Sequence, residues 1–149
     1  MKVFVSTPIA GFNDDQKYKK FREELIKFVN ELDSMFGASN IFTALREVKN
    51  YDSYDSPEQS VVKDLEGIEQ SDIFILIYPQ KVASSALVEL GYALALNKLI
   101  YIYANQERDL PYMVNGFEKC FPARVQKYIG KWETCYDVIL SKLKRDFII

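Results

Sequence analysis

Apolar residues along this chain fall into two alternating patterns, short continuous runs and longer stretches with helical spacing. Continuous apolar runs are typical of strands that are covered on both faces of a sheet. Spacings of three and four residues are typical of amphipathic helices. The runs predict strands at residues 2–7, 40–44, 72–78, 99–103 and 124–129. The stretches between them predict helices at residues 15–36, 57–70, 84–96 and 132–145.

Strands that alternate with helices are joined by right-handed crossovers and form a parallel sheet. We therefore predict a three-layer α/β/α domain of the flavodoxin-like (Rossmann-like) class, with four or five parallel strands in the order 2-1-3-4-5. Its 149 residues suffice for one domain with a real core, so we expect residues 1–149 to form a single domain. In such sheets ligands bind beyond the carboxyl ends of the strands.

Composition narrows the classes of partner. Hydrophobic residues make up 48% of the chain and charged residues 27%, as in soluble globular proteins. A formal net charge of −2 without a basic stripe argues against a nucleic-acid partner. No apolar run approaches the roughly 20 residues that span a bilayer, and we see no signal peptide, so we expect no membrane partner. Two cysteines without metal-type spacing favour a reduced, cytoplasmic setting.

The absence of histidine has chemical consequences. It removes Ser-His and Cys-His nucleophiles together with the commonest metal ligand. We expect neither a metal nor another cofactor. Acid–base chemistry must then come from carboxylates, tyrosines or bound water.

Glu89 is the candidate reactive group. It shares one helix face with Ala86 and Ala93, and a carboxylate among small residues is costly to bury without a purpose or a partner. A capping box would require serine three positions earlier, whereas Ser85 lies four positions earlier. Gly91, like Ala93, is expected to allow close packing of this helix on the sheet.

Asp64 is the second candidate. It lies on the helix face that Val61, Leu65 and Ile68 mark as inward. Aspartate is a poor residue for a helix interior, so its position needs an explanation. Two remain open, an ion pair with a Lys or Arg and a role in a site.

Further candidate ligand contacts lie at the same sheet edge and in the loops beside it. The polar loop at 46–57 is a candidate lid because of Tyr51 and Tyr54, although these rings would equally cover the edge of the core. The predicted substrate-binding residues are Ser6, Thr7, Phe12, Tyr78, Ser84, Ser85 and Met113.

Two motifs resemble the nucleoside 2-deoxyribosyltransferase family. They are Asp64-Leu-Glu-Gly-Ile and, 25 residues after that aspartate, Glu89-Leu-Gly-Tyr-Ala. The similarity covers roughly residues 3–115. It extends to the nucleotide N-glycosidases of the same superfamily and, more distantly, to NAD-cleaving Toll/interleukin-receptor (TIR) domains.

The resemblance implies a function and an assembly. Glu89 would be the nucleophile that attacks C1′ of the sugar, and Asp64 would contact the base and handle its proton. The substrate would be a small nucleoside or nucleotide, whose 2-deoxyribosyl group is transferred to another base or whose N-glycosidic bond is hydrolysed. A homo-oligomer is also implied, a dimer or larger, in which the loop 111–113 of one subunit closes a neighbour's pocket.

The chain also departs from the family pattern. Family transferases carry an aspartate about six residues before the glutamate, where this chain has Lys81-Val82-Ala83-Ser84-Ser85. Hydroxyls at a helix N-terminus suit a phosphate, which favours a nucleotide, although they also serve as a plain cap. The missing aspartate motivates one alternative, a catalytically inactive module that senses a nucleotide. A TIR-like NAD glycohydrolase is another.

Overall fold

The computed structural model describes residues 1–9, 14–48 and 55–148, which form a five-stranded parallel sheet between helices. The strand order is β2-β1-β3-β4-β5, which confirms the predicted α/β fold and order. All four strand pairings are parallel, so the strands end at one common edge. The strands are β1 (Val3–Ser6), β2 (Ile41–Phe42), β3 (Ile73–Tyr78), β4 (Leu99–Ala104) and β5 (Val125–Ile129).

The helices follow the predicted pattern closely. The described residues form five α-helices, which are α1 (Asp15–Phe36), α2 (Pro57–Gln70), α3 (Ala86–Ala95), α4 (Phe117–Cys120) and α5 (Trp132–Phe147). The predicted bounds of α1 and α2 are confirmed. α2 begins with a capping box, in which Ser56 and Gln59 each accept a hydrogen bond from the other's backbone N–H. α4 was not predicted.

Strand β2 is shorter than predicted, because the chain turns into a 3₁₀ helix after only two residues. The Thr43 hydroxyl accepts the Leu45 N–H at 3.3 Å and so begins that turn. From α1, Arg22 donates its Nε–H to the Leu45 carbonyl at 2.8 Å. These side-chain contacts stabilise the turn at Ala44–Arg46, which begins at the last residue of the predicted strand 40–44.

The core lies on both faces of the sheet. One cluster joins the strands to α1 and α5, and the other joins them to α2 and α3. β1 shows the alternation, because Val3 and Val5 belong to the first cluster and Phe4 to the second. Successive side chains of a strand point to opposite faces, so Ser6 points to the α2 and α3 side, like Phe4.

Gly67 brings α2 against the sheet. A Cβ atom at this position would lie 2.9 Å from Cε2 and 3.1 Å from Cδ2 of Phe4. The Phe4 ring is buried and stacks on Phe74, with ring centroids 5.7 Å apart, so it has little room to move. The glycine of the Asp64-Leu-Glu-Gly-Ile motif therefore allows a close approach of helix and strand.

Two expectations about inward-facing residues were wrong. Val61, in the first two turns of α2, is 56% exposed, whereas Ile68 near the other end is fully buried. The buried residues of α2 are at its C-terminal end. Gly91 is exposed, and a Cβ atom there would meet nothing within 4 Å. Close packing of α3 on the sheet comes from Ala86 and Ala93, both buried. None of the described helices is long and apolar enough to cross a membrane.

We predict opposite effects of the same substitution at the two helical glycines. Gly67→Ala should destabilise the protein by about 1–3 kcal/mol, because its methyl group enters the Phe4 ring and the core must shift. Gly91→Ala is the matched control, and it should stabilise the protein by up to about 1 kcal/mol through helix propensity alone. Urea denaturation of both variants measures the difference, and a neutral Gly67→Ala would contradict the tight contact.

Candidate active site

Three polar residues come together where the sheet, α2 and α3 meet. Ser6 is the last residue of β1, and Glu89 lies in the first turn of α3. Asp64 lies on α2 three residues before Gly67, which is about 4.5 Å towards the carboxyl edge of the sheet. Ser6 lies two residues beyond Phe4, about 6.6 Å in the same direction. Because Gly67 contacts Phe4, Asp64 and Ser6 lie at similar positions along the strand direction, near the carboxyl edge of the sheet.

The Glu89 carboxyl group is strongly perturbed. Burial and, next, the nearby negative charge of Asp64 raise the pKa of Glu89 from 4.5 to about 8. The Ser6 hydroxyl acts in the opposite direction and lowers this pKa. Around neutral pH the pair Asp64 and Glu89 therefore carries one proton and one negative charge, and its two titration steps belong to both groups together.

Asp64 is half-buried, and burial is also the main reason why its pKa is raised. The negative charges of Asp55 and Glu47 add to this, while Lys63 opposes it. Lys63 itself pairs with Glu47 at 3.1 Å and with Asp55 at 2.9 Å. In the part of the chain that the structure describes, Asp64 makes no ion pair, so the structural explanation for its position finds no partner there.

Ser6 is a buried polar residue with an unused hydroxyl. Its side chain is only 2% exposed, and its Oγ makes no hydrogen bond of normal length and angle to any described residue. It nevertheless faces the Glu89 carboxyl closely enough to lower the pKa of that group as a donor. Buried hydroxyls are normally satisfied, and the Glu89 carboxyl is the group that this one faces.

The other predicted residues of this edge hold the scaffold together. The Thr7 hydroxyl donates to the Ile77 carbonyl at 2.9 Å, which ties β1 to β3. Tyr78 is buried, and its hydroxyl donates to the Val82 carbonyl in the loop that leads to α3. The Ser84 hydroxyl accepts the Ala86 N–H at 3.1 Å, whereas Ser85 is exposed and makes no capping hydrogen bond.

The remaining predicted residues are one exposed side chain and positions outside the described chain. Met113 is 75% exposed in the segment after β4, next to Tyr112, which is 99% exposed. Phe12 and the two tyrosines of the predicted lid, Tyr51 and Tyr54, lie outside the described residues.

Sequence reasoning did not assign a role to Glu47, Asp55 and Lys63, which surround Asp64. Lys63 is adjacent to Asp64 in sequence, but its ion pairs reach back 8 and 16 residues to Asp55 and Glu47. The sequence signal for this charged group was only the excess of acidic residues before α2. Across residues 1–9, 14–48 and 55–148, no three His, Cys, Asp or Glu side chains are grouped so that they could hold a metal ion.

The geometry separates an acid from a base. Two neighbouring carboxyl groups cannot both ionise easily, so one keeps a proton that it can donate while the other carries the charge. Such a pair can attack an electrophilic carbon with one group and protonate a leaving group with the other.

Comparison with known proteins identifies the family. The family model described as nucleoside 2-deoxyribosyltransferase matches residues 3–123. This chain belongs to that family. The match spans β1 to β4 and both carboxyl groups of this nucleoside 2-deoxyribosyltransferase fold. After it, β5 completes the sheet and α5 packs against one of its faces. The resemblance expected from the two motifs is confirmed.

Two solved structures are similar to this member of the nucleoside 2-deoxyribosyltransferase family. One is the CMP N-glycosidase BcmB of Clostridium botulinum, with 19% identity, a TM-score of 0.61 and coverage of 97% of this chain and 99% of that chain. The other is BlsM, with 17% identity, a TM-score of 0.69 and coverage of 97% and 92%. No curated protein matches the sequence.

We predict that Glu89→Gln stabilises the protein, and more so at high pH. Because the pKa of Glu89 is raised to about 8, the folded state holds a proton that the unfolded state releases near 4.5, so stability falls as pH rises between these values. Glutamine removes this dependence. Thermal unfolding should show an increase in Tm of several degrees at pH 9 and a smaller one at pH 5.5. An equal increase at both pH values would contradict the raised pKa.

Proposed function

We propose that this protein cleaves the N-glycosidic bond of a nucleoside or nucleotide, with Glu89 as the nucleophile and Asp64 as the proton donor to the base. The observation that carries the proposal is the pair of half-buried carboxyl groups, in which the charge of one raises the pKa of the other. Membership of the family supports the class of reaction. The roles of the two residues follow from their match to the family motifs.

The first step forms one bond and breaks another. A Glu89 carboxylate oxygen attacks C1′, the C1′–N bond breaks, and its electron pair remains on the base nitrogen. Asp64 gives its proton to the departing base, which leaves neutral, so Asp64 becomes the carboxylate. The product is a glycosyl ester of Glu89, which divides one difficult displacement into two easier ones.

The second step decides between hydrolysis and transfer. Water, or an N–H group of a second base, attacks C1′ and breaks the ester, and Asp64 accepts the proton that the attacking group loses. Glu89 is released as the carboxylate, and the original protonation state returns. Which acceptor prevails depends on whether a second base outcompetes water for the glycosyl carbon.

Ser85 supports a phosphate-bearing substrate. Its hydroxyl is exposed at the start of α3 and makes no capping hydrogen bond, whereas the neighbouring Ser84 already caps the helix. A helix N-terminus favours a bound anion. The activity in the name of the similar Clostridium botulinum structure makes cytidine monophosphate the first nucleotide to test.

We predict that base release depends on both carboxyl groups. Glu89→Ala should reduce turnover by at least about a thousandfold, because the nucleophile is lost. Asp64→Asn should reduce it by about 10²–10⁴-fold, because the general acid is lost. Glu66→Ala, which removes an exposed carboxylate of α2, is the control and should behave as wild type. Chromatography of free base after incubation with nucleosides, their 5′-monophosphates and NAD measures the rates.

The same assay separates the alternatives. Base release that survives Glu89→Ala would refute the assignment of the nucleophile. Thermal stabilisation by a nucleotide without any release would favour a sensor module, and release from NAD alone would favour a TIR-like glycohydrolase. Addition of a free base, with formation of a new nucleoside as the readout, distinguishes transfer from hydrolysis.

We also propose that the protein works as a homo-oligomer in which Tyr112 and Met113 contact a neighbouring subunit. Both are large apolar side chains that project from a well-anchored segment. Lys127 holds that segment, because its Nζ lies 2.8 Å from a carboxylate oxygen of Glu107 and 3.3 Å from the side-chain oxygen of Asn115. Exposed apolar residues on a rigid support are typical of interaction surfaces.

We predict a dimer or larger assembly in light scattering at micromolar concentration. The double variant Tyr112→Ser, Met113→Ser should dissociate it, because the apolar contact is removed, and base release should fall with the assembly. Val138→Ser on α5 changes a half-exposed valine elsewhere and serves as the control. A wild-type monomer would contradict this proposal without affecting the assignment of Glu89.

A further inference from the structure

Ser6 has no assigned chemical role beyond a predicted substrate contact, yet its environment is unusual. It is nearly fully buried at the carboxyl end of a central strand, and no described residue accepts a well-formed hydrogen bond from it. Strand alternation points its side chain to the α2 and α3 side, where Glu89 lies. The neighbouring Thr7 hydroxyl is already engaged by the Ile77 carbonyl. Ser6 is therefore the strand hydroxyl that remains available to Glu89.

We propose that Ser6 is a positioning residue that donates a hydrogen bond to the ionised Glu89 carboxylate and shifts the single negative charge of the Asp64 and Glu89 pair towards Glu89. This inference rests on the proposed function. It assigns Ser6 to the nucleophile and not to the substrate.

The charge has to be on a particular member of the pair. One proton shared by two carboxyl groups gives two arrangements, and only the arrangement with the proton on Asp64 and the charge on Glu89 can react. Burial and the charge of Asp64 favour the opposite arrangement, because both raise the pKa of Glu89, which stays at about 8 even though Ser6 opposes them. A donor at Glu89 works against this preference.

The described neighbours of the two carboxyl groups have opposite effects on their pKa values. Asp55 and Glu47 face Asp64 with negative charge and favour its protonated form, with only Lys63 opposing them. Ser6 is the described side chain that lowers the pKa of Glu89, and the start of α3 also favours a negative charge there. The acidic group before α2 and the hydroxyl on β1 thus move the proton in the same direction.

A hydrogen bond to one carboxylate oxygen also fixes its geometry. The oxygen that accepts from Ser6 is held at the end of β1, so the other oxygen is the one presented to the substrate. Hydrogen bonds to charged groups are stronger than those between neutral groups, which makes the loss of this donor measurable.

The direct test is a carboxyl titration that does not need turnover. In ¹³C-glutamate and ¹³C-aspartate labelled protein, NMR follows the side-chain carboxyl carbons, with Glu89→Gln and Asp64→Asn as assignment controls. Ser6→Ala should move the Glu89 midpoint to higher pH by about 1, which corresponds to a tenfold change in the equilibrium. The Asp64 midpoint should fall, because the charge returns to that residue.

Kinetics supply the second readout. The acidic limb of kcat against pH should move upward in Ser6→Ala, and kcat at pH 7 should fall about tenfold, with KM changed by less than about twofold. Ser6→Cys, a weaker donor of similar size, should lie between wild type and alanine. Ser71→Ala is the matched control, since Ser71 is equally buried but donates to the Gly67 carbonyl at 2.7 Å, and it should leave both limb and midpoint unchanged.

The outcomes separate this inference from the proposed function. An unchanged Glu89 midpoint in Ser6→Ala overturns the role of Ser6, whether or not the protein is active. A raised KM with an unmoved pH limb also overturns it and makes Ser6 a substrate contact instead. A moved midpoint in a protein that releases no base supports the contact with Glu89 and counts against the proposed reaction alone.

Discussion

The candidate active site depends on the repulsion between two half-buried carboxyl groups. Glu89 and Asp64 are close enough that the charge of one raises the pKa of the other, and burial acts in the same sense. Such a pair opposes folding in the pH range where both groups would be ionised. A chain without histidine has few other ways to place an acid and a nucleophile side by side. The rest of the fold makes this unfavourable arrangement tolerable.

Close packing of α2 and α3 against the sheet offsets the unfavourable free energy of the two carboxyl groups. Gly67 lets α2 approach Phe4, and the alanines of α3 allow the same on the neighbouring helix. Thr7 and Tyr78 close the strand ends by donating to backbone carbonyls, so their polar groups serve the scaffold beside the carboxyl groups. The site is therefore closely packed below the carboxyl groups.

Much of this could be predicted from periodicity. The order of strands and helices followed from apolar patterns, because a parallel sheet buries both faces of its strands and one face of each helix. Errors occurred where side chains decide the backbone or where a position lies beyond the core. Residues 43 and 44 became a turn because Thr43 and Arg22 hold it, and Val61 and Gly91 lie outside the packed region.

The sequence by itself determined the fold class, the family and the two candidate carboxylates, since local periodicity and two short motifs carry that information. Only the tertiary structure decided which residues perturb those carboxylates. Lys63 pairs with Asp55 and Glu47, which lie 8 and 16 residues earlier, and these three charges act on Asp64. Ser6 acts on Glu89 from the distant strand β1. Desolvation and charge–charge interaction depend on distance in space, which spacing along a chain does not specify.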